Sequence, residues 1–173
     1  DKIAVEVVNA SISGDTTAGG RSRLPSLLAR HKPGLVIIEL GGNDALRGLP
    51  LSMTQANLAA MAQAARTAGA RVLIVGMQVP PNYGQKYAQD FAALFDTVAQ
   101  AEGAALVPFL LKGVADGPDA QALFQADRIH PNAQAQARMH TAQITAAAIL
   151  ALVLLILLAA FWFIGGMQRS LAQ

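Results

Sequence analysis

His130 follows Asp127 by three residues in Asp127-Arg-Ile-His130-Pro131-Asn132. In a turn or a first helical turn that spacing sets both side chains on one side, so the carboxylate can hold one ring nitrogen and leave the other free as a base. Two loops far upstream carry donors suited to an anion. Ile12-Ser-Gly14-Asp15-Thr16 offers a glycine whose backbone N–H can approach a ligand closely, and Gly41-Gly42-Asn43-Asp44 offers a neutral side-chain amide. An oriented base and two oxyanion donors are the equipment of acyl-ester cleavage.

Each piece also has a plainer use. An Asp-x-x-His-Pro segment can simply begin a helix, with Pro131 at its first position. Gly14 can turn the chain ahead of a helix capped by Asp15 or Thr16, and Asn43-Asp44 fits a tight turn at positive φ. The capping role is compatible with chemistry, because a capped helix N-terminus presents N–H groups and a positive dipole end to an anion. One component is not found: no serine sits in a recognisable nucleophile turn. Ser11 and Ser13 flank the glycine loop, and Ser22 and Ser26 fall in the helical stretch after it.

These residues need elements to hold them. Short apolar, β-branched runs at 4–8, 35–40 and 71–76 read as strands, and 105–107 as a weaker fourth. Between them, alanine-rich stretches at 18–31, 52–67 and 86–102 carry helical spacing. Ser52-Met-Thr-Gln55 fits a capping box, and Gly69 and Gly103 fall where helices of that length should stop. Pro25 predicts a kink or a late start in the first helix. Apolar strands alternating with helices predict a parallel sheet covered on both faces, the doubly wound α/β class. In such sheets ligands sit beyond the carboxyl ends of the strands. The loops at 9–16, 41–47 and 78–83 each follow a strand, so they are expected at one edge.

The remaining sequence bounds the partners. Thirteen basic and 11 acidic residues give a net charge of +2 without any basic block, which argues against nucleic acid. With no cysteine there is no disulfide, no thiolate metal site and no cysteine nucleophile. The chain opens on Asp1 rather than Met, which predicts an upstream segment. Residues 146–164 carry no polar side chain and end in Phe161, Trp162 and Phe163. A membrane span needs roughly 20 apolar residues and favours interfacial aromatics, so 142–165 is expected to be a transmembrane helix, with a short tail at 166–173. Arg169 beyond the run favours a cytoplasmic tail and a periplasmic or extracellular domain, while Arg128 and Arg138 on the other flank count against that orientation.

Taken in order, Val8-Asn-Ala-Ser-Ile-Ser-Gly-Asp-Thr16, Val36-Ile-Ile-Glu-Leu-Gly-Gly-Asn-Asp44, Leu46-Arg-Gly48, Pro81-Asn-Tyr-Gly84 and Asp127 to Asn132 resemble the SGNH (GDSL-type) hydrolases, in their bacterial thioesterase, lysophospholipase and arylesterase branch. The resemblance covers about residues 4–140 and implies a hydrolase domain over 1–141. It implies a flavodoxin-like three-layer α/β/α sandwich whose first strand, with the nucleophilic serine, would precede Asp1. By the same resemblance Gly14 and Asn43 form the oxyanion hole, His130 is the general base and Asp127 orients it. No metal or organic cofactor is implied, and the partner is a small acyl ester or lipid, with the membrane reached through the C-terminal run. Such a chain without its serine block is expected to be inactive. The resemblance also expects an amphipathic helix after His130-Pro131-Asn132, where this chain instead runs on toward the apolar stretch.

Met77, the stretch 78–83 and the stretch 109–111 are candidates to line an acyl pocket, with Met77, Pro81, Asn82, Tyr83 and Phe109 singled out, since an ester chain needs apolar walls beside the carbonyl. Core packing serves Met77 and Phe109 equally well. Two other functions keep the same fold: a non-catalytic binding protein without a nucleophile, and an esterase that removes acetyl groups from glycans. A nucleotide-binding domain is disfavoured, because no strand leads into Gly-x-Gly-x-x-Gly or a Walker-type lysine loop.

Overall fold

The computed structural model describes residues 6–139 and 141. The chain divides into two compact units, Asp1–Leu110 and Leu111–Gln173. The first runs α1 (Thr17–His31), β1 (Leu35–Ile38), α2 (Gly42–Leu46), α3 (Leu51–Thr67), β2 (Arg71–Val75), a 3₁₀ turn at Pro81–Tyr83, α4 (Gln85–Glu102) and β3 (Ala105–Val107). The three strands form one parallel sheet in the order β1-β2-β3. Its register pairs Val36 with Val72 and Ile38 with Ile74, and Ile74 in turn with Leu106. Those side chains therefore share a face. That face meets α3 and α4, with α1 packed against α3. Leu58, Met61 and Ala65 of α3 and Phe91, Phe95 and Val98 of α4 close the core over Ile38, Val72 and Ile74.

Two expectations about the sheet change. The run 4–8 was to be a strand, yet residues 6–8 form none, while 4 and 5 lie outside the described residues. A β-branched run forms a strand only with a neighbour to bond, and among the described residues β1 pairs with β2 and no other strand. Within the described residues of the first unit, Leu35 and Ile37, on the face opposite Ile38, are exposed, Ile37 by 60%. The near-continuous apolar pattern of β1 gives no warning of that asymmetry.

The helix ends also differ in detail. Thr16, not Asp15, caps α1, its side chain accepting from the Gly19 N–H. Pro25 sits inside α1, which runs unbroken from Thr17 to His31 rather than starting late. No capping box forms at Ser52. α3 begins at Leu51 with Pro50 as N-cap and no side-chain cap bond, because Pro50 sets the entry and Ser52 is already helical. Gly103 ends α4 at φ 59°, as its position predicts.

The second unit is small. Val114, Leu123 and Ala135 are buried against Leu111, Phe124 and Met139. Phe124 and Pro131 form an isolated antiparallel bridge, and residues 133–139 are helical. An Arg138–Asp119 pair at 2.7 Å ties that helix to the preceding loop. No helix among the described residues is long and apolar enough to cross a membrane. The run 146–164, with the spans 142–165 and 166–173 assigned from it, lies outside them.

Candidate active site

In the first unit the two donor loops meet at the carboxyl end of β1. Gly14 is the third residue of a tight turn closed by the Asp15 N–H donating to the Ile12 carbonyl at 3.2 Å. Its φ of +74° is the conformation glycine adopts without penalty. The Gly14 N–H makes no hydrogen bond among the described residues, and the residue is exposed, so this donor is free for a ligand.

Asn43 lies in the first turn of α2, not in a positive-φ turn. Gly41 alone carries the unusual angle, φ 125°, which lets Asn43 and Asp44 enter the helix. The Asn43 Nδ2 donates one hydrogen to the Asp15 carbonyl at 3.0 Å. An amide nitrogen has two hydrogens, so a second donor remains on Asn43, whose first is spent on the loop that contains Gly14.

Beneath this pair is a buried polar cluster that the sequence reading missed. The Asp44 carboxylate is fully buried and accepts from the Thr17 N–H at 2.9 Å, the Thr17 Oγ1 at 2.5 Å and the Thr54 Oγ1 at 3.4 Å. The Asn57 Nδ2 donates to the same Thr17 hydroxyl at 3.1 Å, and Arg21 donates to the Asn57 Oδ1. A carboxylate at the N-terminus of α1 satisfies an N–H that the helix cannot and suits the dipole there. The sequence holds one clue: Asp44 follows Asn43 in a stretch where a turn needs only one such residue.

At the outer edge of the same loops Arg47 donates to the Gly14 carbonyl at 2.9 Å. Arg23 braces the other side, pairing with the Asp15 carboxylate at 2.9 Å and donating to the Ala10 carbonyl at 2.5 Å.

In the second unit Asp127 and His130 meet as their spacing predicts, Oδ2 lying 2.8 Å from the imidazole Nδ1. The other carboxylate oxygen accepts from the backbone N–H of Ile129 at 2.9 Å and of His130 at 3.0 Å. Those two backbone bonds, and then the imidazole, hold the Asp127 carboxyl at about 2, below the ordinary aspartate value. The pair sits in a tight hairpin: the Gln125 N–H donates to the His130 carbonyl, and Arg128 turns the chain at φ 58°. The His130 side chain is 70% exposed, which leaves its Nε2 accessible.

Pro131 does not open the following helix. It is engaged in the bridge with Phe124, and Asn132 caps instead, its side chain accepting from the Ala135 N–H at 3.1 Å.

The proposed pocket residues scatter. Met77 packs on the core against Gly42, and Tyr83 stacks on Tyr87 with ring centroids 6.2 Å apart. Asn82 is exposed, Pro81 opens the 3₁₀ turn, and Phe109 is partly buried beyond β3. A shallow recess of about 380 Å³ is lined by Gln78, Val79, Gln85, Ala88, Gln89 and Ala92, of which Gln78 and Val79 belong to the candidate pocket stretch 78–83. No serine hydroxyl engages an imidazole among the described residues; that of Ser26 donates within α1 to the Arg23 carbonyl. No group of acidic, histidine or cysteine side chains that could hold a metal ion occurs among the described residues.

A parallel α/β unit with a glycine N–H and an asparagine amide at a strand end, and an Asp–His pair downstream, defines a class, and comparison with known proteins gives its family. Residues 1–138 match the GDSL-like lipase/acylhydrolase family, and the chain belongs to it. It is 57% identical over 133 residues to an esterase TesA of Pseudomonas aeruginosa, which covers 77% of this chain and 65% of that protein. It is 42% identical over 130 residues to the thioesterase 1/protease 1/lysophospholipase L1 of Escherichia coli, covering 75% of this chain and 61% of that protein. The chain thus spans somewhat under two thirds of the length of these curated relatives. A crystal structure of TesA superposes with a TM-score of 0.72 at 57% identity, over 78% of this chain and 73% of that one.

Proposed function

We propose that the protein is a serine-dependent acyl-ester hydrolase acting on small esters, thioesters or lysophospholipid-type lipids. The observation that carries this is the Asn43–Asp15 hydrogen bond, which joins an asparagine amide to the loop of an unengaged glycine N–H. Family membership and the names of the relatives support the same assignment. A flavodoxin-like three-layer arrangement is the fuller fold that goes with it.

In the mechanism, a serine attacks the ester carbonyl while His130 takes its proton at Nε2. Asp127 holds Nδ1–H and steadies the imidazolium that forms. The carbonyl oxygen gains negative charge as the tetrahedral intermediate appears, and the Gly14 N–H and the free Asn43 N–H bind it. His130 then returns the proton to the leaving alcohol or thiol, and water repeats the sequence to release the acid. None of the serines in this chain is assigned as the nucleophile. Met77, Pro81, Asn82, Tyr83 and Phe109 remain candidates to contact the acyl chain. Attachment to a membrane and a location outside the cytoplasm rest on the sequence of 146–164 alone.

The test uses the protein at its full natural length with p-nitrophenyl acetate, butyrate and octanoate. Turnover of these esters is expected, with loss of activity on reaction with an alkyl phosphonate and a one-to-one adduct on a serine. Absence of both turnover and adduct refutes the assignment and favours a binding protein.

A further inference from the structure

The Gly14 N–H has a geometric problem: nothing in a glycine's own sterics fixes the direction of its peptide planes. Whatever aims that donor must come from outside the residue. α2 and Arg47, the residue that caps its C-terminus, supply contacts to three points of the loop. Asn43 bonds the Asp15 carbonyl, Asp44 bonds the Thr17 N–H and hydroxyl, and Arg47 bonds the Gly14 carbonyl. The first two lie on the inner side of the loop. Arg47, one helical turn beyond Asn43 and exposed, reaches around the outer side and grips the carbonyl of the glycine itself. The peptide that follows Gly14 is thereby held at both ends, its oxygen by Arg47 and its N–H by the Ile12 carbonyl.

We infer that Arg47 is a positioning residue for the oxyanion hole: by clamping the Gly14 carbonyl it steadies the Ile12–Asp15 turn, whose central peptide carries the Gly14 N–H, and so limits the directions in which that N–H points. This rests on the hydrolase assignment above, in which that N–H binds the oxyanion. The side chain acts through Gly14 and touches no substrate atom. Its guanidinium is suited to the task, since its planar fork loses little freedom on forming a hydrogen bond. An exposed hydrogen bond of this kind adds little to overall folding. Losing it leaves the loop folded on Asn43 and Asp44 while the N–H samples other directions. Donors preorganised before charge develops matter in the transition state and hardly at all in the ground state.

The experiment compares the full-length protein with Arg47→Met, Arg47→Gln and Arg47→Lys on p-nitrophenyl butyrate, and measures inhibition by an aryl boronic acid, whose tetrahedral serine adduct places an oxygen where the oxyanion forms. Arg47→Met is expected to lower kcat about 10-fold, part of the roughly 10²–10³-fold carried by a whole oxyanion donor, with KM changed by less than about twofold. The boronic acid inhibition constant should rise by the same factor as kcat falls. Arg47→Lys, which can still reach a carbonyl, should recover part of both, and all variants should unfold near the parent's melting temperature. An unchanged kcat in Arg47→Met, or a KM that rises while kcat and the boronate constant stay put, overturns the positioning role and leaves the hydrolase assignment standing. A parent with no ester turnover overturns that assignment and this inference with it.

Discussion

The Asn43 side-chain amide donates to the Asp15 backbone carbonyl across 3.0 Å, linking two loops that are 28 positions apart in the chain. One amide hydrogen is spent holding the glycine loop and the other is left for a ligand. In the proposed mechanism Asn43 is therefore both a brace and a donor, and its two roles separate by experiment. Asn43→Ala removes an oxyanion donor and should lower kcat by about 10²–10³. Loss of the brace should cost only about 1 kcal/mol of stability, the net value of one hydrogen bond. A kcat within fivefold of the parent, with correct folding, is incompatible with the donor role.

Asp44 shows what lies under the donors. Its carboxylate is buried and accepts three hydrogen bonds, two of them from Thr17 at the start of α1. Asp44→Ala strands the Thr17 N–H and hydroxyl without their acceptor and should destabilise the protein by about 2–4 kcal/mol, more than one charged hydrogen bond contributes. Urea unfolding monitored by circular dichroism measures it. A loss below about 0.5 kcal/mol, the level of an ordinary surface substitution, contradicts the description of this cluster.

Two glycines test the sheet. A side-chain carbon at Gly76 would lie 2.3 Å from the Pro108 carbonyl oxygen, a backbone atom that cannot swing aside, whereas nothing lies within 4 Å of one at Gly34. Gly76→Ala should cost about 1–3 kcal/mol through overpacking. Gly34→Ala should be neutral or stabilise by about 0.4–1 kcal/mol, because it restricts the unfolded chain. Equal effects at the two positions would contradict the close approach of β2 and the segment after β3.

The Asp127 carboxyl provides a pH test. Its folded value is about 2 because the Ile129 and His130 N–H groups bond the ionised form. A folded value below the unfolded one of about 3.9 means that ionised Asp127 stabilises the turn above that pH, and that the contribution disappears as pH falls toward 2. Carbon-detected NMR of the Asp127 carboxyl from pH 7 downward should show a midpoint near 2. A midpoint near the ordinary value indicates that the hairpin at 125–130 is not held in this way.

Much of this arrangement can be read from the residues. Apolar runs with period-compatible helices between them locate β1, β2, β3, α3 and α4, and the three-residue spacing of Asp127 and His130 anticipates their 2.8 Å contact. The features that stay hidden depend on partners remote in sequence. Residues 6–8 look like a strand but have none beside them among the described residues, and Ser52 looks like a cap but follows Pro50, which starts the helix first. Asp44 stands out only as an extra turn residue after Asn43, with nothing to name Thr17 and Thr54 as its partners, and Arg128 gives no sign that it will adopt a left-handed conformation. Gly14 and Asn43 are each ordinary turn residues until α2 brings them side by side.

The most direct measurement of the central claim is ester turnover by His130→Ala in the full-length protein, with folding checked by its thermal transition. Loss of the base should lower kcat on p-nitrophenyl butyrate by about 10³-fold or more while leaving the melting temperature close to the parent's, because the imidazole is exposed. A folded His130→Ala protein that hydrolyses the ester at the parent's rate would contradict the assignment of the Asp127–His130 pair as the catalytic base.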